Sequence, residues 1–117
     1  MELQFFFEKI GLPEEAAGLV LALDVPETEY QSVKQLFWEE EESFYIWIKE
    51  KENFRLQFLY YFSRLACETY ERYIEKGISE IIYWDTFRDI THWCINCRNE
   101  FGEYGIDQYN WFFRHIK

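Results

Sequence analysis

Proline and glycine are scarce in this sequence: two and five of 117 residues. No two glycines are separated by a single residue, which excludes the glycine-rich loops that cradle phosphates. No strained glycine–serine elbow for a nucleophile is present either. Basic residues are few, 12 against 22 acidic, giving a net charge of −10. Nucleic-acid affinity rests on cations that release counterions from phosphates, so this charge argues against a nucleic-acid partner. It argues equally against docking on anionic membranes, and it serves solubility. No run approaches the roughly 18 apolar residues of a membrane span. There are three cysteines, an odd number. The start, "MELQFFFEKI", lacks the basic and long apolar regions of a secretory leader. The expectation is a cytoplasmic, reduced protein without disulfides. No alternating apolar pattern of strand length, internal repeat or low-complexity linker occurs.

What is abundant is aromatic. Hydrophobic residues make up 49% of the chain and aromatic ones 22%. The first figure is ample for a core. The second exceeds what one small core easily absorbs, which predicts some rings at the surface or at an interface.

The few prolines and glycines punctuate a helical pattern. Leu3, Phe6, Phe7 and Ile10 form one stripe, and Gly11 ends it. Pro13 suits the first turn of a second helix, with Glu14 and Glu15 at its positive dipole end. "PEEAAGLVLAL" is apolar nearly all round and reads as buried, with Ala16, Ala17 and Gly18 small enough for a close helix crossing. Pro26 opens a third helix, from which Tyr30, Val33, Leu36 and Phe37 point inward. "WEEEES" reads as a solvated face or turn, because neighbouring helical carboxylates diverge and cannot share one ion. Phe44, Trp47, Ile48 and Lys51 mark a short fourth helix.

The longest helix is expected from about Glu52 to Lys76, with Gly77 as its stop, a span of about 37 Å. Phe54, Phe58, Tyr61, Phe62, Leu65 and Tyr73 form its main stripe. Leu59, Tyr60, Cys67 and Tyr70 widen it. Such a wide apolar surface predicts a central helix with neighbours on several sides. Arg64, Glu68 and Arg72 read as a surface charge ladder. Ser79 or Asp85 caps the next helix, which ends near Gly102. The fold class is therefore all-α: one bundle-like domain of six or seven helices around a long central one.

"HWCINC" is the one stretch that suggests metal or redox chemistry. The spacing of Phe87, Ile90, Cys94, Cys97 and Phe101 is instead that of a buried seam, where cysteine serves as a small apolar side chain. His92 lies about 200° around the helix from Cys94, on the side of Arg88 and Asn99. No thioredoxin-like strand precedes the pair. Asp85 and Asp89 are spaced for an acid/base pair, but a cap and a surface residue explain them. Tyr83 and Trp84 fit the packing of the helix corner. No catalytic, cofactor-binding or metal-ligating residue is assigned.

The chain closes on "GIDQYNWFFRHIK". Asp107 suits a cap, and Tyr109, Phe112, Phe113 and Ile116 make a complete apolar stripe. Trp111 and His115 occupy another side of that helix. Together with Trp84 they are the candidate interface residues.

"FFEKIGLPEEAAGLVLALDVPETEYQSVKQLF", "RLACETYERYIEKGIS", "YWDTFRDITHWCINC" and "EYGIDQYNWFFRHIK" resemble the N-terminal domain of bacterial GNAT-like N-acyltransferases of Firmicute type. The resemblance covers essentially the whole chain and carries no catalytic signature. It implies that residues 1–117 are a helical N-terminal domain followed by a C-terminal GNAT-like domain. That second domain would hold acyl-CoA and the catalytic groups. No cofactor is expected in this chain, and catalysis by it alone is not expected. The implied partner is the catalytic domain or a second copy of the chain. The alternative is a stand-alone helical module for protein interaction or self-association.

Overall fold

The computed structural model describes residues 2–51 and 54–96, apart from the side chains at 41, 45, 49, 54 and 93–96. Among them lie six helices: α1 (Leu3–Ile10), α2 (Glu14–Leu21), α3 (Glu27–Glu39), α4 (Glu41–Lys49), α5 (Phe54–Glu75) and α6 (Glu80–Asn96). No strand occurs among the described residues. The expected last helix from Asp107 lies outside them, as do Cys97, Phe101, Trp111 and His115.

Helix ends follow local chemistry. Gly11 adopts φ 74°, a left-handed conformation that costs a glycine little. The amides of Gly11 and Leu12 donate back to the carbonyls of Glu8 and Phe7, the double bond of a Schellman stop. Leu12 and Phe7 are both buried, as that motif's apolar contact requires. Gly77, at φ 81°, follows the end of α5 in the same way. Pro13 and Pro26 sit one residue ahead of α2 and α3, where their missing N–H costs nothing and Glu14, Glu15, Glu27 and Glu29 follow. Glu40, at φ −139° and ψ 72°, separates α3 from α4, so the glutamate run ends one helix at Glu39, breaks at Glu40 and starts the next at Glu41.

The central helix is α5, which packs against each of the other five helices. Phe58, Tyr61, Phe62, Leu65 and Tyr73 are all at most 1% exposed, so the predicted stripe is the spine of the core. Phe62 joins two groups of rings. On one side are Phe58 at 5.2 Å and Phe37 at 6.0 Å. On the other is Phe87 of α6 at 4.9 Å, itself against Phe6 at 5.8 Å and Tyr83 at 4.8 Å. Edge-to-face and tilted pairs dominate, the arrangement that opposed ring quadrupoles favour.

Three expectations are corrected. The second helix is peripheral rather than buried. Only Ala17 and Val20 are enclosed, while Leu19 is 60% and Leu21 44% exposed. A Cβ at Gly18 would meet nothing within 4 Å, so among the described residues no helix crosses closely there. Among the described residues, this eight-residue helix packs mainly on one flank of α5, which leaves its other side open. Second, the charges of α5 do more than form a surface ladder: Arg64 and Glu68 keep their 3.9 Å pair along the helix, and Arg64, Glu68 and Arg72 also reach Glu27, Lys34 and Trp38 of α3. Third, Ser79 caps α6, its Oγ accepting the Ile82 amide, whereas Asp85 lies inside the helix and pairs with Arg88 at 2.6 Å. Ser79 holds the position before the helix where an orphan amide is free to be capped; Asp85 does not. The expected surplus of rings is modest among the described residues. Phe5 is 45% exposed, but the other large exposed apolar side chains are Leu19, Leu21, Ile46, Ile81 and Ile82.

Candidate functional site

A cleft of about 370 Å³ opens where α1, the segment after α2 and the middle of α5 meet. Its size falls in the usual range for small-molecule sites. Helix α5 supplies Tyr60, Arg64, Cys67 and Glu68, spaced so that they share one side of the helix. Leu3, Leu21 and Leu23 form the facing apolar wall.

The polar wall is fixed by α3. Arg64 donates from Nη2 to both Glu27 carboxylate oxygens, at 2.9 and 3.0 Å, and from Nη1 to the Tyr60 hydroxyl at 3.2 Å. Its guanidinium lies 3.5 Å over the Tyr30 ring. The Tyr30 hydroxyl donates to Glu68 Oε2 at 2.6 Å, and Lys34 Nζ reaches that oxygen at 3.0 Å. Glu68 Oε1 faces Arg64 Nε at 3.9 Å, an ion pair too long for a hydrogen bond.

These contacts set the ionisation of the wall. Hydrogen bonds from Gln31 and Arg64 hold the Glu27 carboxyl below its usual range. Burial works against the Arg64 charge, yet its bonds to Glu27 and Tyr60 outweigh it and raise its pKa. Burial, then the Glu68 carboxylate, drives the Tyr30 phenol far above its ordinary value. Burial also pushes the Cys67 thiol up to about 12, with Glu68 adding to it. Cys67 is thus a neutral thiol lining the cleft, unsuited to nucleophilic attack.

Among the described residues, the other singled-out side chains do not line this cleft. Trp84 is half-buried at the start of α6, 5.6 Å from both Phe6 and Tyr70, with Nε1 donating to Glu80 at 3.1 Å. Tyr83 is buried beside it and donates to the Ala66 carbonyl at 2.5 Å, so both rings pack the helix corner as expected. Phe87 and Ile90 are buried and His92 is exposed, which fits the apolar seam as far as it is described. The Cys94 side chain lies outside the described residues. Among the described residues no three His, Cys, Asp or Glu side chains converge as metal ligands. No described helix is long and apolar enough to cross a membrane.

Sequence reasoning passed over this cleft because its parts were assigned to other roles. Arg64 and Glu68 read as surface charges, and Leu21 as part of a buried helix. One signal was available: Glu27, Tyr30 and Lys34 recur at helical spacing on α3, complementary in sign to Arg64 and Glu68.

Comparison with known families decides the relationship. The N-acyltransferase N-terminal domain matches residues 1–117, the whole chain. The chain belongs to that family. No curated protein and no solved structure matches it. Membership in the N-acyltransferase N-terminal domain family agrees with the resemblance carried by the running sequence.

Proposed function

We propose that residues 1–117 form the helical, acceptor-side part of a GNAT-like, acyl-CoA-dependent N-acyltransferase acting in the cytoplasm. The family match over residues 1–117 carries this reading. The CoA site and the catalytic groups belong to a C-terminal domain, and this part shapes the substrate side of that site. Charge supports the division. A net charge of −10 repels a pyrophosphate and favours the approach of a protonated amine, the acceptor class of an N-acyltransferase. A second reading, a helical interaction or self-association module, is favoured by the exposed Leu19, Ile46, Ile81 and Ile82.

Calorimetric titration with acetyl-CoA tests the first reading. Residues 1–117 alone should show no binding, and the same residues joined to the catalytic domain should bind. Micromolar binding by residues 1–117 alone contradicts the division of labour. Sedimentation addresses the second reading: a stable dimer that is lost on Ile81→Asp favours it.

A further inference from the structure

The cleft beside α5 presents charges of both signs next to an apolar wall. Arg64 Nε and Glu68 Oε1 stand 3.9 Å apart. Each is left without a hydrogen bond to the other, while their remaining atoms are held by Glu27, Tyr60, Tyr30 and Lys34. A donor and an acceptor are thus fixed side by side on a rigid helix, only partly exposed at 26% and 35%. Facing them, Leu3, Leu21 and Leu23 offer an apolar surface within the same cleft of about 370 Å³. Leu21 is 44% exposed, so it has apolar area still to cover.

We infer that this cleft binds a small zwitterion with an apolar side chain, such as a free aliphatic α-amino acid. Its carboxylate accepts from Arg64 Nε, its ammonium donates to Glu68 Oε1, and its side chain lies on the leucine wall. A lone carboxylate or a lone ammonium satisfies one member of the pair and leaves the other beside it unmatched. The paired geometry therefore selects against both. The local charges of Arg64, Lys34, Glu27 and Glu68 balance, which suits a ligand of no net charge. This deepens the acceptor-side reading above, on which its role as an acyl acceptor rests. The binding itself does not depend on any transfer step.

The test is calorimetry on residues 1–117 with L-leucine, L-leucinamide and 4-methylpentanoate as separate titrants. L-Leucine should bind with a dissociation constant on the order of 0.1–1 mM. Each analogue should bind at least about tenfold more weakly. Leu21→Trp, which fills the cleft from an exposed position, should abolish leucine binding while the melting temperature stays unchanged. Glu68→Gln should weaken leucine binding and strengthen 4-methylpentanoate binding, because it removes the carboxylate charge that a bound anion must face. Absence of saturation by leucine below about 10 mM would overturn the inference, as would equal binding of leucinamide or full binding by Leu21→Trp. Acetyl-CoA binding by the longer protein with no leucine binding would sink this inference alone. Leucine binding without acetyl-CoA binding by the longer protein would leave it standing and remove the acyltransferase reading.

Discussion

The two sides of α5 are held by different forces. Toward α1 and α6 the seam is aromatic and dry. Phe6, Phe62, Tyr73, Tyr83 and Phe87 are each at most 1% exposed. Toward α3 the seam has buried Tyr30 and Phe37 but is tied along its edge by charge. Arg64 holds Glu27 and Lys34 holds Glu68, while Lys51, just after α4, holds Glu29 of α3 at 3.1 Å. Lys51 also lies 4.2 Å over the Trp47 ring, and Arg72 lies 4.4 Å over Trp38. Burial of rings is worth several kcal/mol per residue and is insensitive to salt. Half-exposed ion pairs are worth little each and are screened. The dry side sets stability, and the charged side sets how α3 is seated beside the cleft.

Alkali should produce the largest effect. Burial, before any neighbouring charge, raises the phenols of Tyr30, Tyr61, Tyr73 and Tyr83 well above 10.0, and burial raises the Cys67 thiol from 9.0 to about 12. Above these ordinary values the unfolded chain releases protons that the folded chain keeps. Stability then falls with rising pH, by roughly 1.4 kcal/mol per pH unit for each group. Five such groups exceed the margin of a small domain within about two pH units. Circular dichroism should show cooperative unfolding between about pH 10 and 12. A flat helical signal to pH 12 would mean that the phenols ionise in place.

Next in size is Phe87→Ala. It removes the ring that links Phe6, Phe62, Tyr73 and Tyr83, and denaturant titration should show a loss of about 3–5 kcal/mol. Arg64→Ala on the opposite side should cost only about 1–2 kcal/mol, from lost stacking on Tyr30 and lost bonds to α3. Equal losses for the two variants would erase the distinction between the sides. The smallest effect has the opposite sign. Ser63 is 1% exposed and its hydroxyl has no hydrogen-bond partner among the described residues. Ser63→Ala should raise stability by about 1 kcal/mol in the same titration.

Much of the aromatic side was legible in the sequence. Its rings recur at helical spacing, and Gly11 and Gly77 mark chain reversals that few other residues tolerate. The centrality of α5 followed from the width of its apolar surface. The charged side was not legible in the same way. Arg64 and Glu68 are four apart on one helix, and that spacing describes a ladder along α5 as well as a clamp onto α3. Only the packing of α3 decides between them. The position of α2 was hidden for a related reason: Leu19 and Leu21 are apolar, but a short helix at the edge has too few neighbours to bury them. Asp85 was misplaced because caps and mid-helix ion pairs use the same side chain, and Ser79 already filled the earlier position. The cleft depends on the seating of α3 and the placement of α2 together, so no local pattern announced it.

Native-state hydrogen exchange at low salt and at about 1 M salt tests the difference between the two sides most directly. At low salt, amides in α5 and α6 should exchange only by global unfolding, and those of α3 by a smaller opening. Raising the salt should screen the ties of Arg64, Lys34 and Lys51 and speed exchange in α3 selectively, leaving the interior amides of α5 and α6 at the global rate. Uniform change across α3, α5 and α6, or selective loss of protection in α6, would contradict the claim that charge seats one side of the central helix and aromatic packing the other.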